Sequence, residues 1–319
     1  MRAMVTGAAG FIGSHLCDRL VESGHDVLAV DKFSDYYDPI QKHRNVARLL
    51  DDGHFKLMEA DVASDLVLQA INDVDVIFHL AGQPGVRPSW NDFGPYLREN
   101  VQCVQTVLEA VAQATRRPRI VLSSSSSVYG DAMRYPCTET SELRPISPYG
   151  TSKLSMEYLA GAYVRTQRLP VVILRYFTVY GPRQRPDMAF HRFIDAALTG
   201  GDIAVYGDGE QIRDFTFVDD VVEGTIAAGA HEVPIGTVLN LCGGEPVTVN
   251  SVLDTLRLLA GRPLRVRYVG GARGDVHRTG GSADLARRIL GWAPRTALGD
   301  GLRQQYEWHL ERLAGTGGS

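Results

Sequence analysis

The sequence predicts an α/β fold: a doubly wound parallel sheet in residues 1–176, joined to a smaller mixed α/β lobe formed mainly by residues 177–319. Three observations predict it. Apolar strand-like runs alternate with helical periodicity through the first half, the pattern of crossover connections in a parallel sheet. The segment Val74-Asp75-Val76-Ile77-Phe78-His79-Leu80 reads as a strand buried on both faces. A glycine-rich turn, Gly7-Ala8-Ala9-Gly10-Phe11-Ile12-Gly13, follows the first apolar run directly.

The elements follow in order. Residues 1–6 read as the first strand, 11–23 as a helix and 25–30 as the second strand. A polar stretch rich in Tyr, Asp and Lys leads to a third strand at 55–59 and a fourth within 73–80. Val101, Val104, Val107, Leu108 and Val111 give residues 98–114 helical periodicity. A strand at 119–122 then delivers the serine run Ser123 to Ser127 at its carboxyl end. Ser147 is placed to cap a helix with Pro148 at its first position, where no backbone donor is needed. Pro170 helps to stop that helix before a strand at 171–176. Beyond Gly181 the pattern is less regular. Residues 188–198 read as a helix, and a strand at 215–218 with a helix from Asp219 is expected to return to the sheet, within a segment of about 213–241. Residues 249–260, 264–269, 282–290 and 300–313 read as elements of the smaller lobe.

Bulk properties narrow the class. The chain has 319 residues, 44% hydrophobic and 22% charged, enough for a substantial core. A net charge of -4 gives no electrostatic footprint for nucleic acid or a membrane surface. No apolar run is long enough to span a bilayer, and Met1 leads straight into a strand, so no signal peptide is expected. Cys17, Cys103, Cys137 and Cys242 have neither metal-ligand nor redox spacing and read as reduced thiols of a cytoplasmic protein with no metal.

The glycine turn carries the first chemistry. Glycines at 7, 10 and 13 let backbone amides approach a pyrophosphate at a helix N-terminus, where the dipole favours anions. Asp31 follows the second strand, 18 residues after Gly13. A carboxylate there accepts hydrogen bonds from a ribose diol and repels a 2′-phosphate, which favours NAD over NADP. Strand, glycine turn, helix, strand and acid in this order form the Rossmann fingerprint.

The second chemistry lies at Tyr149 and Lys153. Four residues apart on a helix, they share a face. A phenol has an unperturbed pKa of about 10, and a neighbouring cation lowers it, so the tyrosine can accept a proton near neutral pH. A hydroxyl from the serine run can share that proton. Such a trio interconverts an alcohol and a carbonyl. His79, at a strand end, reads as a packed histidine, whereas His191 suits a substrate contact and a helix surface equally.

Taken together, Gly7 to Gly13, Asp31, Asp61-Val62, His79-Leu80-Ala81-Gly82, Asn100, Ser125-Ser126-Ser127-Val128-Tyr129-Gly130 and Tyr149 to Lys153 resemble the extended short-chain dehydrogenase/reductases that act on nucleotide sugars. The resemblance implies Ser125, Tyr149 and Lys153 as the catalytic residues. It assigns Gly7, Gly10, Phe11, Ile12, Gly13 and Asp31 to the cofactor, with Asp61 and Val62 facing the adenine. Leu80, Ala81, Gly82 and Asn100 would line the cofactor path, and Tyr149 and Lys153 would contact the cofactor too. It also implies a homodimer through helices near 98–114 and 149–168.

Within that family, Phe177-Thr178-Val179-Tyr180-Gly181-Pro182, Arg185-Pro186-Asp187-Met188-Ala189 and Asp35-Tyr36-Tyr37-Asp38 resemble the UDP-glucuronate 4-epimerases. Galactose-type epimerases carry Asn at the position of Thr178. Dehydratases carry an Asp-Glu pair at Ser126 and Ser127, and decarboxylases a Glu at Ser127. Small hydroxyls suit a substrate with its own carboxylate, since they donate hydrogen bonds where an acid would repel. The resemblance further implies Arg213 and Arg273 on the diphosphate, and Ala189, Phe190 and Tyr206 beside the uracil. Arg87 would lie in a substrate loop, and Arg185 near the carboxylate, the uridine or a loop contact. The loop Gly82 to Pro88 departs from the family pattern. The expected reaction removes the C4 hydride and proton, turns the 4-keto sugar and returns the hydride to the other face, with NAD retained throughout. A UDP-glucose/UDP-galactose 4-epimerase, a nucleotide-sugar decarboxylase or dehydratase, and a non-enzymatic NAD-binding regulator stand as alternatives.

Overall fold

The computed structural model describes residues 1–271, 274 and 276–316. Its strands are β1 (Arg2–Thr6), β2 (Asp26–Asp31), β3 (Phe55–Glu59), β4 (Val76–His79), β5 (Arg119–Ser125), β6 (Val171–Tyr176), β7 (Val179–Tyr180), β8 (Asp202–Tyr206), β9 (Ile212–Arg213), β10 (Thr216–Phe217), β11 (Val238–Leu241), β12 (Val247–Thr248) and β13 (Arg265–Val269). Its helices are α1 (Phe11–Glu22), α2 (Pro39–Val46), α3 (Asp65–Ala70), α4 (Gly94–Leu97), α5 (Cys103–Gln113), α6 (Pro148–Gln167), α7 (Ala189–Thr199), α8 (Val218–Ala230), α9 (Val249–Ala260), α10 (Asp284–Leu290) and α11 (Leu298–Thr316).

Seven strands form one sheet in the order β11-β6-β5-β4-β1-β2-β3, and every neighbouring pair is parallel. The chain runs outward from β1 through β2 to β3, then returns to β4 on the other side of β1. That reversal opens a crevice at the carboxyl ends of β1 and β4, where ligands bind in such sheets. Both faces are covered, as the near-continuous apolar strands require. Ala3, Val5, Val121, Val172 and Leu174 point into a core shared with residues of α1 and α8. Met4, Val30, Ile77, Ile120, Leu122 and Ile173 point into a second core with residues of α5 and α6. Each fully buried aliphatic side chain contributes about 1.5–3 kcal/mol, so both faces fix the strand register.

Helix α6 begins as its sequence requires. Ser147 Oγ accepts the Gly150 N–H at 3.0 Å, Pro148 occupies the first turn, and Arg168 ends the helix in the left-handed region. The helix expected over 98–114 differs. Its first part, Arg98–Gln102, is a π turn between α4 and α5. A short helix α2, capped by Asp38 on the Ile40 N–H, also forms in the polar stretch after β2.

The strand expected to return to the sheet near 215–218 does not enter it. Thr216 and Phe217 pair with Val179 and Tyr180, in a two-stranded unit. Because β7 starts beyond the carboxyl end of β6, its partner lies past the main sheet as well. Within 213–241, β11 is the strand that joins the sheet, against β6. The parallel pair β8–β13 and the antiparallel pair β9–β12 stand apart from the seven-stranded sheet.

Candidate active site

A cleft of about 980 Å³ opens at the carboxyl ends of the central strands. One wall is the β1–α1 turn. Gly7 has a φ of +69°, and a Cβ there would sit 2.8 Å from the Ala81 N, so the turn can approach β4 only as glycine. A Cβ on Gly13 would sit 2.1 Å from the Gly7 carbonyl oxygen. Helix α1 starts at Gly10 without a side-chain cap and with no acid in its first turn. Its N-terminus therefore presents orphan amides and the positive end of the dipole to the cleft. Asp31 Oδ2 accepts the Ala9 N–H at 3.0 Å and Oδ1 the Phe33 N–H at 2.8 Å, which fixes the carboxylate beside the turn.

Gly7, Gly10, Phe11, Ile12, Gly13 and Asp31 all line this cleft, as do Val62, Leu80, Ala81 and Gly82. Asp61 and Asn100 border this lining, next to Ala60, Val62 and Glu99, which belong to it. Asp61 is occupied by Lys32 at 3.4 Å, Arg98 at 2.9 Å and the Ala63 N–H at 3.0 Å, outside the lining. Asn100 is fully buried behind it. Its Oδ1 accepts the Gln83 N–H at 2.8 Å, while Nδ2 donates to the Gln83 carbonyl at 3.0 Å and to Ser152 Oγ at 2.9 Å. The π turn presents this side chain, an irregularity frequent at functional sites. Asn100 thus braces the wall that Gly82 lines.

The reactive face joins β5 to α6. Ser125 ends β5, and its hydroxyl lies near enough to the Tyr149 phenol to favour the phenolate. Ser125 Oγ also accepts the Ser127 N–H at 3.2 Å and donates to Ser127 Oγ at 3.1 Å. Burial pushes the Tyr149 phenol above its ordinary value, and the Ser125 hydroxyl and the Arg185 charge oppose that rise. Lys153 sits one helical turn further on, and its Nζ donates to the Ser123 carbonyl at 2.8 Å. Burial pulls the Lys153 ammonium down to about 8, against the field of Glu157. Arg185 thus adds a charge that favours the phenolate, and Lys153, the cation the sequence pointed to, follows one turn along the same face of α6.

Ser126, Ser127, Thr178 and Arg185 line the same cleft. Arg185 Nε and Nη2 donate to the two oxygens of Asp187 at 2.9 and 3.0 Å. Further out the lining continues through Ala189, Phe190, Tyr206 and Arg213. Arg87 also lines it, with its guanidinium 3.7 Å from the Tyr206 ring centroid. Arg213 Nη1 donates to the Ile212 carbonyl at 2.9 Å. Arg273 lies outside the described residues. Sequence reasoning passed over Lys42, whose Nζ donates to the Ser34 carbonyl at 2.8 Å on the cleft wall. It also missed Ser89, whose Oγ accepts the Tyr149 N–H at 3.1 Å. Neither residue belongs to a motif with its own spacing.

The sequence model of the NAD dependent epimerase/dehydratase family matches residues 3–242. The chain belongs to this family. Among its curated relatives, the "Uncharacterized UDP-glucose epimerase YtcB" of Bacillus subtilis is 39% identical over 307 residues, covering 96% of each chain. The "UDP-glucuronate 4-epimerase" of Thermodesulfobacterium geofontis is 33% identical, covering 97% of this chain and 96% of its own length. Among solved structures, the UDP-glucuronic acid 4-epimerase from Bacillus cereus, in complex with UDP-glucuronic acid and NAD, superposes with a TM-score of 0.94 at 38% identity. That match covers 98% of this chain and all of the other.

Two histidines of this epimerase/dehydratase family member prove structural. His79 is buried with Nδ1 3.0 Å from Thr6 Oγ1, and burial, with the Lys153 charge, pushes its pKa down to about 3. His191 is buried outside the cleft lining, with Nδ1 2.7 Å from the Gln184 carbonyl. It meets Asp195 of α7 and His309 of α11, and Arg312 also donates to that carboxylate. The cluster thus joins two helices around a charge already compensated by a guanidinium.

Proposed function

We propose that this protein is a UDP-glucuronate 4-epimerase, interconverting UDP-glucuronate and UDP-galacturonate through a transient 4-keto sugar. The observation that carries the reading is that Ser126, Ser127, Thr178 and Arg185 line one cleft with Tyr149, whose phenol feels the Arg185 charge. Hydroxyls and a cation in one cleft suit a sugar bearing a carboxylate. The residues also fit NAD: a glycine turn that a Cβ would block, an uncapped helix N-terminus and a fixed Asp31. NAD, when bound, takes up and returns a hydride.

Gly7 to Gly13 would hold its pyrophosphate and Asp31 its adenosine ribose. The sheet half of the chain would carry the cofactor, and residues 177–319 chiefly the nucleotide sugar. Tyr149 takes the proton of the sugar's 4-hydroxyl, and Ser125 links the phenol to that hydroxyl. On return, Tyr149 gives the proton back to the oxygen at the opposite face. Ser126, Ser127 and Thr178 hold the carboxylate while C4 is oxidised. A β-keto acid loses CO2 when its carboxylate bond aligns with the carbonyl π system, so a fixed carboxylate also protects the product. Arg213 and Arg87 would serve the diphosphate and nucleotide side. The free, buried cysteines support a reducing cytoplasmic setting, and the family resemblance supports a homodimer through α5 and α6.

A second reading, a neutral UDP-hexose epimerase, draws support from the 39% identical relative named for UDP-glucose. The test is to incubate purified protein separately with UDP-glucuronate and UDP-glucose, without added NAD, and resolve the products. Conversion of UDP-glucuronate to UDP-galacturonate at a much higher kcat/KM is expected. Preferential conversion of UDP-glucose to UDP-galactose would select the second reading.

A further inference from the structure

Tyr149, Lys153 and Glu157 occupy successive turns of one face of α6 and meet three consecutive residues of β5. The Tyr149 phenol faces the Ser125 hydroxyl, Lys153 Nζ donates to the Ser123 carbonyl, and Glu157 Oε1 accepts from Ser124 Oγ. The mechanism uses Tyr149, the family resemblance assigns Lys153 to the same chemistry, and Glu157 is left without a task. Its carboxylate is buried, 5% exposed, against an equally buried Arg175 on β6. Arg175 is the cross-strand neighbour of Ser124. Nε and Nη2 of Arg175 donate to the two carboxylate oxygens at 3.0 and 2.7 Å. Its Nη1 donates to the Tyr129 hydroxyl at 2.8 Å, which in turn donates to Asn240 Oδ1 on β11 at 2.7 Å. A buried ion pair is weak evidence of stabilisation, because desolvation offsets most of the Coulomb gain. Its placement one turn beneath Lys153 asks for another reason.

We propose that Glu157 is a positioning residue of the reaction. Its buried carboxylate sustains the Lys153 cation and registers the serine-bearing end of β5 against the helix that carries Tyr149. This rests on the assignment of Tyr149 and Lys153 as catalytic. The titratable and charged groups around Tyr149 and Lys153 are Glu157 on α6, His79 from β4, Arg175 from β6 behind the carboxylate, Tyr96 from α4, and Arg185 and Tyr36 beside the phenol.

Tyr149 and Lys153 lie one turn apart on the same face of α6, so a charge placed beneath Lys153 acts on the ionisation of both. Removing the negative charge of Glu157 makes loss of a proton easier from both, so both steps move to lower pH. The test follows the near-ultraviolet phenolate absorbance of the NAD-bound protein against pH, minus that of its Tyr149→Phe counterpart. For Glu157→Gln the midpoint should fall by about half to one unit, and the limbs of the pH–rate profile should fall with it. Arg175→Gln leaves the carboxylate uncompensated, so its midpoint should rise. An unmoved midpoint in Glu157→Gln, with kcat reduced equally at every pH, overturns the proposal. Should Glu157→Gln not fold, an unmoved or lowered midpoint in Arg175→Gln overturns it instead. The titration needs no turnover, so it is readable even if UDP-glucuronate proves not to be the substrate.

Discussion

At Tyr149 two effects oppose each other. Burial disfavours the phenolate the reaction needs, and the Ser125 hydroxyl and Arg185 charge favour it. The sign of an Arg185 substitution follows. Removing the cation makes the phenolate harder to form, so the acid limb of the pH–rate profile moves to higher pH. For Arg185→Met a displacement of about one unit is expected; a limb that stays in place would remove Arg185 from the account of the phenol. Much of this was legible in the sequence. Tyr149, Lys153 and Asp31 are marked by local spacing, because helix and strand geometry bring each to the cleft, whereas Ser125 was singled out within the serine run by the family resemblance. Glu157, Asp187 and Ser89 were not, since their roles depend on partners that only the folded chain brings near.

Between residue and fold, the π turn at Arg98–Gln102 shows how one irregular element serves the site. It presents Asn100, which pairs both backbone polar groups of Gln83 and bridges to Ser152 of α6. Asn100→Ala would leave the half-buried Gln83 groups without those partners, a cost of about 1 kcal/mol. Urea unfolding should show that loss, together with weaker NAD binding as the Gly82 wall loosens. Unchanged stability would mean that water or a shifted backbone replaces the bonds. Apolar periodicity located α5 well but is blind to a change of helical pitch. It likewise found the strand near 216 without revealing its partner, because pairing is set by where β6 ends. The termini of α6, by contrast, were readable from Ser147, Pro148 and Pro170, since capping is local chemistry.

For the molecule as a whole, the order of the sheet decides where chemistry takes place. The reversal between β1 and β4 puts the glycine turn, Asp31, the serine run and the start of α6 around one crevice. Residues 177–215 add Thr178, Arg185, Phe190, Tyr206 and Arg213 to the same cleft. Cofactor and substrate therefore share one enclosure, which lets a sugar be oxidised and reduced at one carbon without release. The most direct measurement is to supply UDP-glucuronate bearing deuterium at C4 to the purified protein, with no added NAD. The account predicts UDP-galacturonate with the deuterium retained at the inverted C4, and no pentose. Loss of the label to solvent, or a product not inverted at C4, would contradict it.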